Sequence, residues 1–171
     1  SSAASDVYKR QALKSDAQLL NPVEKEFLKN LPIQKEVKAG GVKFLLVHGS
    51  PRKNNEDILP DTPLSEVEKM LENVDADVVL CGHTHIPCGF QTESRKTVVN
   101  AGSIGRTFFV EPNSYPKACY LIIEVDNGSC VFQHQFVEYD KEQASEKLAA
   151  REFEGADKLA GMLINPEIRH F

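Results

Sequence analysis

Two short runs in this chain, Phe44-Leu45-Leu46-Val47 and Val78-Val79-Leu80-Cys81, are apolar at every position. A strand with one wet face alternates apolar and polar residues, because successive side chains point to opposite faces. Continuous runs therefore predict strands covered on both faces, as in α/β sheets lying between other layers. Between the runs, Thr62 and Pro63 open a predicted helix whose Leu64, Val67 and Leu71 line one side. Strand, helix and second buried strand read as one βαβ unit, which puts the chain in the α/β class.

The flanking segments carry local signals. Asn21 suits a helix N-cap, Pro22 the first helical position and Glu24 the third position of a capping box. Val23, Phe27, Leu28 and Leu31 then share a face, and Pro32 ends the helix. A hairpin comes next, with Val37 on one arm, Gly40-Gly41 at the turn and Val42 to Val47 on the other. Past Cys81, short strands are expected over Cys88 to Thr92, Thr97 to Asn100, Ala118 to Val125 and Cys130 to Glu138. Asp126-Asn127-Gly128 is a strong turn signal because Asn-Gly tolerates positive φ. Helices are expected over Lys141 to Arg151 and Ala156 to Ile164, separated by Gly155.

Of 171 residues, 41 % are apolar and 26 % charged, the balance of a globular chain rather than a disordered one. A net charge of -5 argues against a nucleic-acid partner, since tracking a phosphate backbone takes excess Lys and Arg. No apolar run approaches the roughly 18 residues of a membrane span, and no signal-peptide pattern is visible. The expected location is the cytoplasm. Cys81, Cys88, Cys119 and Cys130 form no C-x-x-C pair and sit in or beside apolar runs, so buried structural thiols are expected.

The first eleven residues, SSAASDVYKRQ, share no apolar periodicity with the segment beginning at Ala12. They match, without a mismatch, the translation of a widely used transposase adapter. Residues 1–11 are therefore expected to be a library artefact, with the natural gene continuing upstream and residues 12–171 forming the C-terminal portion of a single domain.

Three of the five histidines come directly after the two buried runs: His48 in LLVHGSP, and His83 and His85 in VLCGHTHIP. Ligands of open α/β sheets collect beyond the carboxyl ends of the strands, so both loops can face one crevice. Imidazole binds zinc, iron, nickel and copper, and joins manganese in mixed oxygen–nitrogen sites. Gly49 and Gly82 let the backbone turn sharply there. Arg52, Lys53 and Arg106 flank these loops and are candidates for phosphate contacts.

The strings VHGSP, CGHTHIP and VNAGSIG, in this order, resemble the small bacterial and archaeal members of the calcineurin-like phosphoesterases. The resemblance runs from about Asn21 to Ile164. It implies a four-layer α-β-β-α sandwich, here partial and lacking its N-terminal strands and helices. It also implies two divalent metal ions, manganese first, with iron, nickel or zinc as alternatives. His48 and His83 match ligands of one metal, and His85 a ligand of the other. Asn100, Gly102 and Ser103 match a loop bordering the substrate, where Ala101 replaces the usual proline.

The implied reaction is hydrolysis of a small phosphomonoester or phosphodiester by water activated between the metals. The family's Asp-x-His, bridging Gly-Asp and Gly-Asn-His motifs do not occur before His48, and the catalytic residues are expected in that missing segment. The chain by itself is accordingly expected to be inactive. Two other readings stand beside this one. They are a non-catalytic protein-interaction scaffold on the same fold, and a small regulatory metal site made by His48, His83 and His85 alone.

Overall fold

The computed structural model describes residues 2–106 and 117–165. Its elements run α1 (Ser2–Leu19), α2 (Pro22–Lys29), β1 (Lys35–Ala39), β2 (Val42–Leu46), α3 (Leu64–Met70), β3 (Val78–Cys81), β4 (Cys88–Gln91), β5 (Thr97–Asn100), β6 (Ala118–Asp126), β7 (Ser129–Val137), α4 (Lys141–Ala149) and α5 (Ala156–Ile164). Two compact units result. The helices α1, α2, α4 and α5 fall in one, and everything from Ile33 to Glu138 in the other. No helix among the described residues is long and apolar enough to cross a membrane.

In the sheet unit, five strands lie in the order β1-β2-β3-β5-β4. β2, β3 and β5 are parallel, while β1 and β4 close the edges antiparallel. The continuous apolar runs have the expected cause. On β2 and β3, Phe44 and Val78 join one buried cluster while Leu45, Val79 and Cys81 join another. The second cluster packs on Val67, Met70 and Leu71 from α3 and its C-cap. The first is met by Ile123, Val125, Cys130 and Phe132 of the separate β6–β7 ribbon. Helix, mixed sheet and second sheet thus make an α-β-β stack, three of the four layers that the resemblance implies. β1 is exposed along its length and carries Lys35, Glu36 and Lys38, a charged edge that discourages further strand pairing.

Two turns tie the sheets together. Gly40 and Gly41 both have positive φ (52° and 85°), as do Asn127 and Gly128 (47° and 80°). Two successive left-handed residues suit the twist of a tight hairpin, and glycine and asparagine reach that region most easily. The Gly128 amide donates to the Gly40 carbonyl across 2.8 Å.

Two packing expectations shift. In α3, Leu64 is 40 % exposed and Met70 takes its place inside, because the helix starts at Leu64 itself and its first turn projects outward. In α2 the expected capping box forms, with Asn21 Oδ1 accepting from the amides of Val23 and Glu24 and the Asn21 amide donating to Glu24. Its apolar face is not buried: Val23 is 78 % and Phe27 66 % exposed. Capping is satisfied within one turn, whereas burial needs a second surface.

Helix α1 runs through residues 2–11 and on to Leu19 without a break. Val7 and Arg10 are exposed, and most side chains before Arg10 lie outside the described ones. All four cysteines are free, and burial with nearby Cys88 pushes the Cys81 thiol up to about 12.

Candidate metal-binding site

The parallel strands end level with one another, and the ladder continues into the loops. The Val47 amide donates to Leu80 O, Gly82 N to His48 O, and Ala101 N to Cys81 O, at 2.9–3.0 Å. Backbone hydrogen bonds therefore hold the VHGSP, GHTH and NAGS loops side by side.

Each loop is braced from within. After His48, the Ser50 hydroxyl, 2 % exposed, accepts from the amides of Arg52 and Lys53 and donates to Glu56. A Cβ on Gly49 would lie 2.7–2.8 Å from the carbonyl oxygens of Lys53, Asn54 and Glu56, so only glycine fits beneath this coil. The side chain of Asn100 is wholly buried. Its Nδ2 donates to Gly82 O (2.6 Å) and Thr84 Oγ1 (2.9 Å), and its Oδ1 accepts from Gly102 N. His134 of β7 donates from Nε2 to Asn100 O across 2.7 Å, which assigns its tautomer. Ser103 accepts the Arg106 amide on its hydroxyl and the Cys119 amide on its carbonyl. Gly102 sits at φ 78° with Cys119 Sγ 2.9 Å from where a Cβ would be.

His48 and His83 are brought together: His83 Nδ1 lies 3.2 Å from His48 Nε2, with the rings edge to face. Two nitrogens on a shared tetrahedral ion, each at about 2.0–2.1 Å, stand about 3.3 Å apart. The spacing therefore suits a common cation as well as a shared proton. Burial, then the charge of His83, lowers the His48 pKa. His85 is lowered chiefly by burial, against a hydrogen bond with the Arg106 backbone that raises it. Both shifts favour the neutral ring, the form that offers a lone pair to a metal.

His83 and His85 both adopt φ 62°, a region that costs a non-glycine residue about 1–3 kcal/mol. Thr84 between them is buried, and its amide turns back onto Gly82 O. Such strain persists only where the surroundings enforce it, and here Asn100 grips both Gly82 and Thr84.

The two arginines expected at the site have different roles. Arg106 lies close enough to His85 for its charge to act on the ring. Arg52 forks onto Glu56 (2.7 and 3.1 Å) and reaches Glu66 (3.3 Å), so its guanidinium braces the loop. In return, Arg52 holds the Glu56 carboxyl below the usual range, with Ser50 assisting and burial opposing. No set of three or more His, Cys, Asp and Glu side chains able to hold a metal occurs among the described residues.

Sequence reasoning missed three neighbours. Asp57 Oδ1 lies 3.5 Å from His83 Nε2. Thr84 and His134 tie the Asn100 loop. Thr84 is readable within its motif, but Asp57 and His134 sit in a coil and a separate sheet with no local signal.

Residues 16–128 match the model of the calcineurin-like phosphoesterase superfamily domain. The chain belongs to this superfamily. Among solved structures, this phosphoesterase-superfamily chain is similar to a hypothetical protein of Pyrococcus horikoshii OT3. The two share 25 % identity and a TM-score of 0.72, over 89 % of this chain and 57 % of that one. A metallophosphoesterase from Sphaerobacter thermophilus shares the fold at 19 % identity and a TM-score of 0.66, over 85 % and 64 % of the two chains. The chain thus spans well under two thirds of the length of the first and just under that of the second. No curated protein gives a significant match.

Proposed function

We propose that the complete protein is a cytoplasmic, metal-dependent phosphoesterase that hydrolyses a small phosphate ester rather than nucleic acid. The observation that carries this reading is the facing pair of imidazole nitrogens, 3.2 Å apart, on loops that extend adjacent parallel strands. His48 and His83 would serve one divalent ion and His85 the other, with manganese favoured over iron, nickel or zinc. Such ions acidify a water and offset charge on the phosphoryl oxygens. The chain's own part is to hold the ligands. Asn100 locks the GHTH loop, Ser50 and Arg52 brace the loop after His48, and Arg106 adds positive charge beside His85. Gly102 and Ser103 would border the substrate from the third loop, with the buried Asn100 side chain holding that loop in place.

In this reading residues 1–11 are translated adapter, and an upstream segment supplies the bridging carboxylate and the leaving-group acid. The test compares this chain with an upstream-extended protein, using manganese and an aryl phosphate or phosphodiester. The extended protein should turn over and this chain should not, and His83→Ala should reduce the extended protein to background. Equal turnover by both would overturn the division of labour. Two bound ions without turnover in the extended protein would favour the scaffold reading, and a single ion the regulatory site.

A further inference from the structure

We propose that Asp57 is a positioning residue for His83: its carboxylate keeps the ring proton on Nε2, leaving the Nδ1 lone pair facing His48 and an incoming cation. This rests on the metal-site reading above and adds the group that orients it. Asp57 Oδ1 stands 3.5 Å from His83 Nε2, on the far side of the ring from the His48 contact. At that range a carboxylate favours a proton on the nitrogen it faces, even before a hydrogen bond fully closes. Metal-bound imidazoles commonly give their second N–H to a carboxylate, which fixes tautomer and ring orientation.

The carboxylate is placed rather than adrift. Its preceding neighbour, Glu56, is held by Ser50 and by both ends of the Arg52 fork. Its next neighbour, Ile58, is 2 % exposed in the core cluster beneath β2 and β3. The backbone of Asp57 is therefore pinned on both sides while its side chain, 49 % exposed, reaches toward His83. His83 is limited from the other direction by its left-handed backbone. With His83 protonated on Nε2, the 3.2 Å contact is a hydrogen bond from His48 Nε2–H to His83 Nδ1. A cation between those nitrogens then requires only His48 to move its proton, to its own Nδ1. Asp57 and His83 thus form a preset half of the pair, and His48 the adjustable half.

The experiment uses the 171-residue chain labelled with nitrogen-15 in its histidines, together with Asp57→Ala, Asp57→Asn and Asp57→Glu. Imidazole nitrogen shifts report the tautomer without a metal or a substrate, and titration with manganese or cobalt alone reports affinity. His83 should be the Nε2–H form in the unsubstituted chain and a mixture in Asp57→Ala, with Asp57→Glu restoring part of the bias. Cation affinity should fall by about 10- to 100-fold in Asp57→Ala, with unfolding midpoints unchanged. An unaltered His83 tautomer in Asp57→Ala overturns the proposal, as does a loss of affinity matched by a loss of stability. If the tautomer shifts while no cation binds either the unsubstituted chain or the upstream-extended protein, Asp57 keeps its orienting role and the metal reading fails. If His83→Ala abolishes cation binding but Asp57→Ala leaves both readouts untouched, the metal reading stands and Asp57 has no part in it.

Discussion

The coil after β2 and the first turn of α2 use the same device, a side-chain oxygen that accepts two backbone amides just ahead of it. In the coil Ser50 accepts from Arg52 and Lys53, and in the helix Asn21 accepts from Val23 and Glu24. Their surroundings differ completely. Ser50 is 2 % exposed, beside a Gly49 enclosed by three carbonyl oxygens, while α2 buries none of its residues. Local hydrogen bonds suffice to set a conformation. Only enclosure makes that conformation costly to change, and enclosure is what a site needing sub-ångström placement requires.

The largest test of this contrast is Gly49→Ala. Its new methyl has nowhere to go but into backbone oxygens, so about 3 kcal/mol or more of stability should be lost in denaturant titration. A loss below about 0.5 kcal/mol would mean that the coil is as loose as α2. Paired substitution of the two bracing residues sharpens the point. Ser50→Ala leaves two part-buried amides without their acceptor and removes one donor from the Glu56 carboxylate, and should cost about 2 kcal/mol. Asn21→Ala removes an exposed cap and should cost about 1 kcal/mol. Equal costs would remove enclosure as the cause.

A graded effect of pH should arise from the site histidines. His48 and His85 have folded pKa values below the ordinary imidazole value of about 6.5, so the unfolded chain binds more protons in that window. Stability is then fully present above about pH 6.5 and is lost as pH falls toward the folded values. Thermal midpoints of the metal-free chain should show this slope, and a His48→Asn, His85→Asn double variant should flatten it. The smallest effect belongs to α2. Phe27→Ser changes a side chain that is 66 % exposed, so stability should stay within about 0.5 kcal/mol of the original. A larger loss would show that this face has a partner in solution.

Much of the fold was readable because its signals are local. The predicted β5 and α5 match the observed elements at both ends, and the Gly40-Gly41 and Asn127-Gly128 turns form where their residue types demand. The α2 capping box acts over three residues and needs no tertiary help. Legibility declined where a side chain had a choice of partner. Arg52 reads equally well as a phosphate ligand or a brace, and only the arrival of Glu56 and Glu66 on either side engages it. By spacing Leu64 shares a face with Val67 and Leu71, yet it lies exposed in the first turn of α3 while Met70 is buried.

By itself the sequence determined the βαβ core and the placing of histidines at the strand ends. Unbroken apolar runs have no stable home except between two layers, and the loop after a parallel strand must emerge at its carboxyl end. What the tertiary structure alone decided is which atoms meet there. The ladder bonds from Gly82 to His48 and from Ala101 to Cys81 align three loops that are well separated in sequence. That alignment sets the facing His48 and His83 nitrogens and the approach of Asp57. No periodicity encodes such contacts, because each depends on strand register and loop path together, and a shift of one residue in either would turn the side chains to the other face.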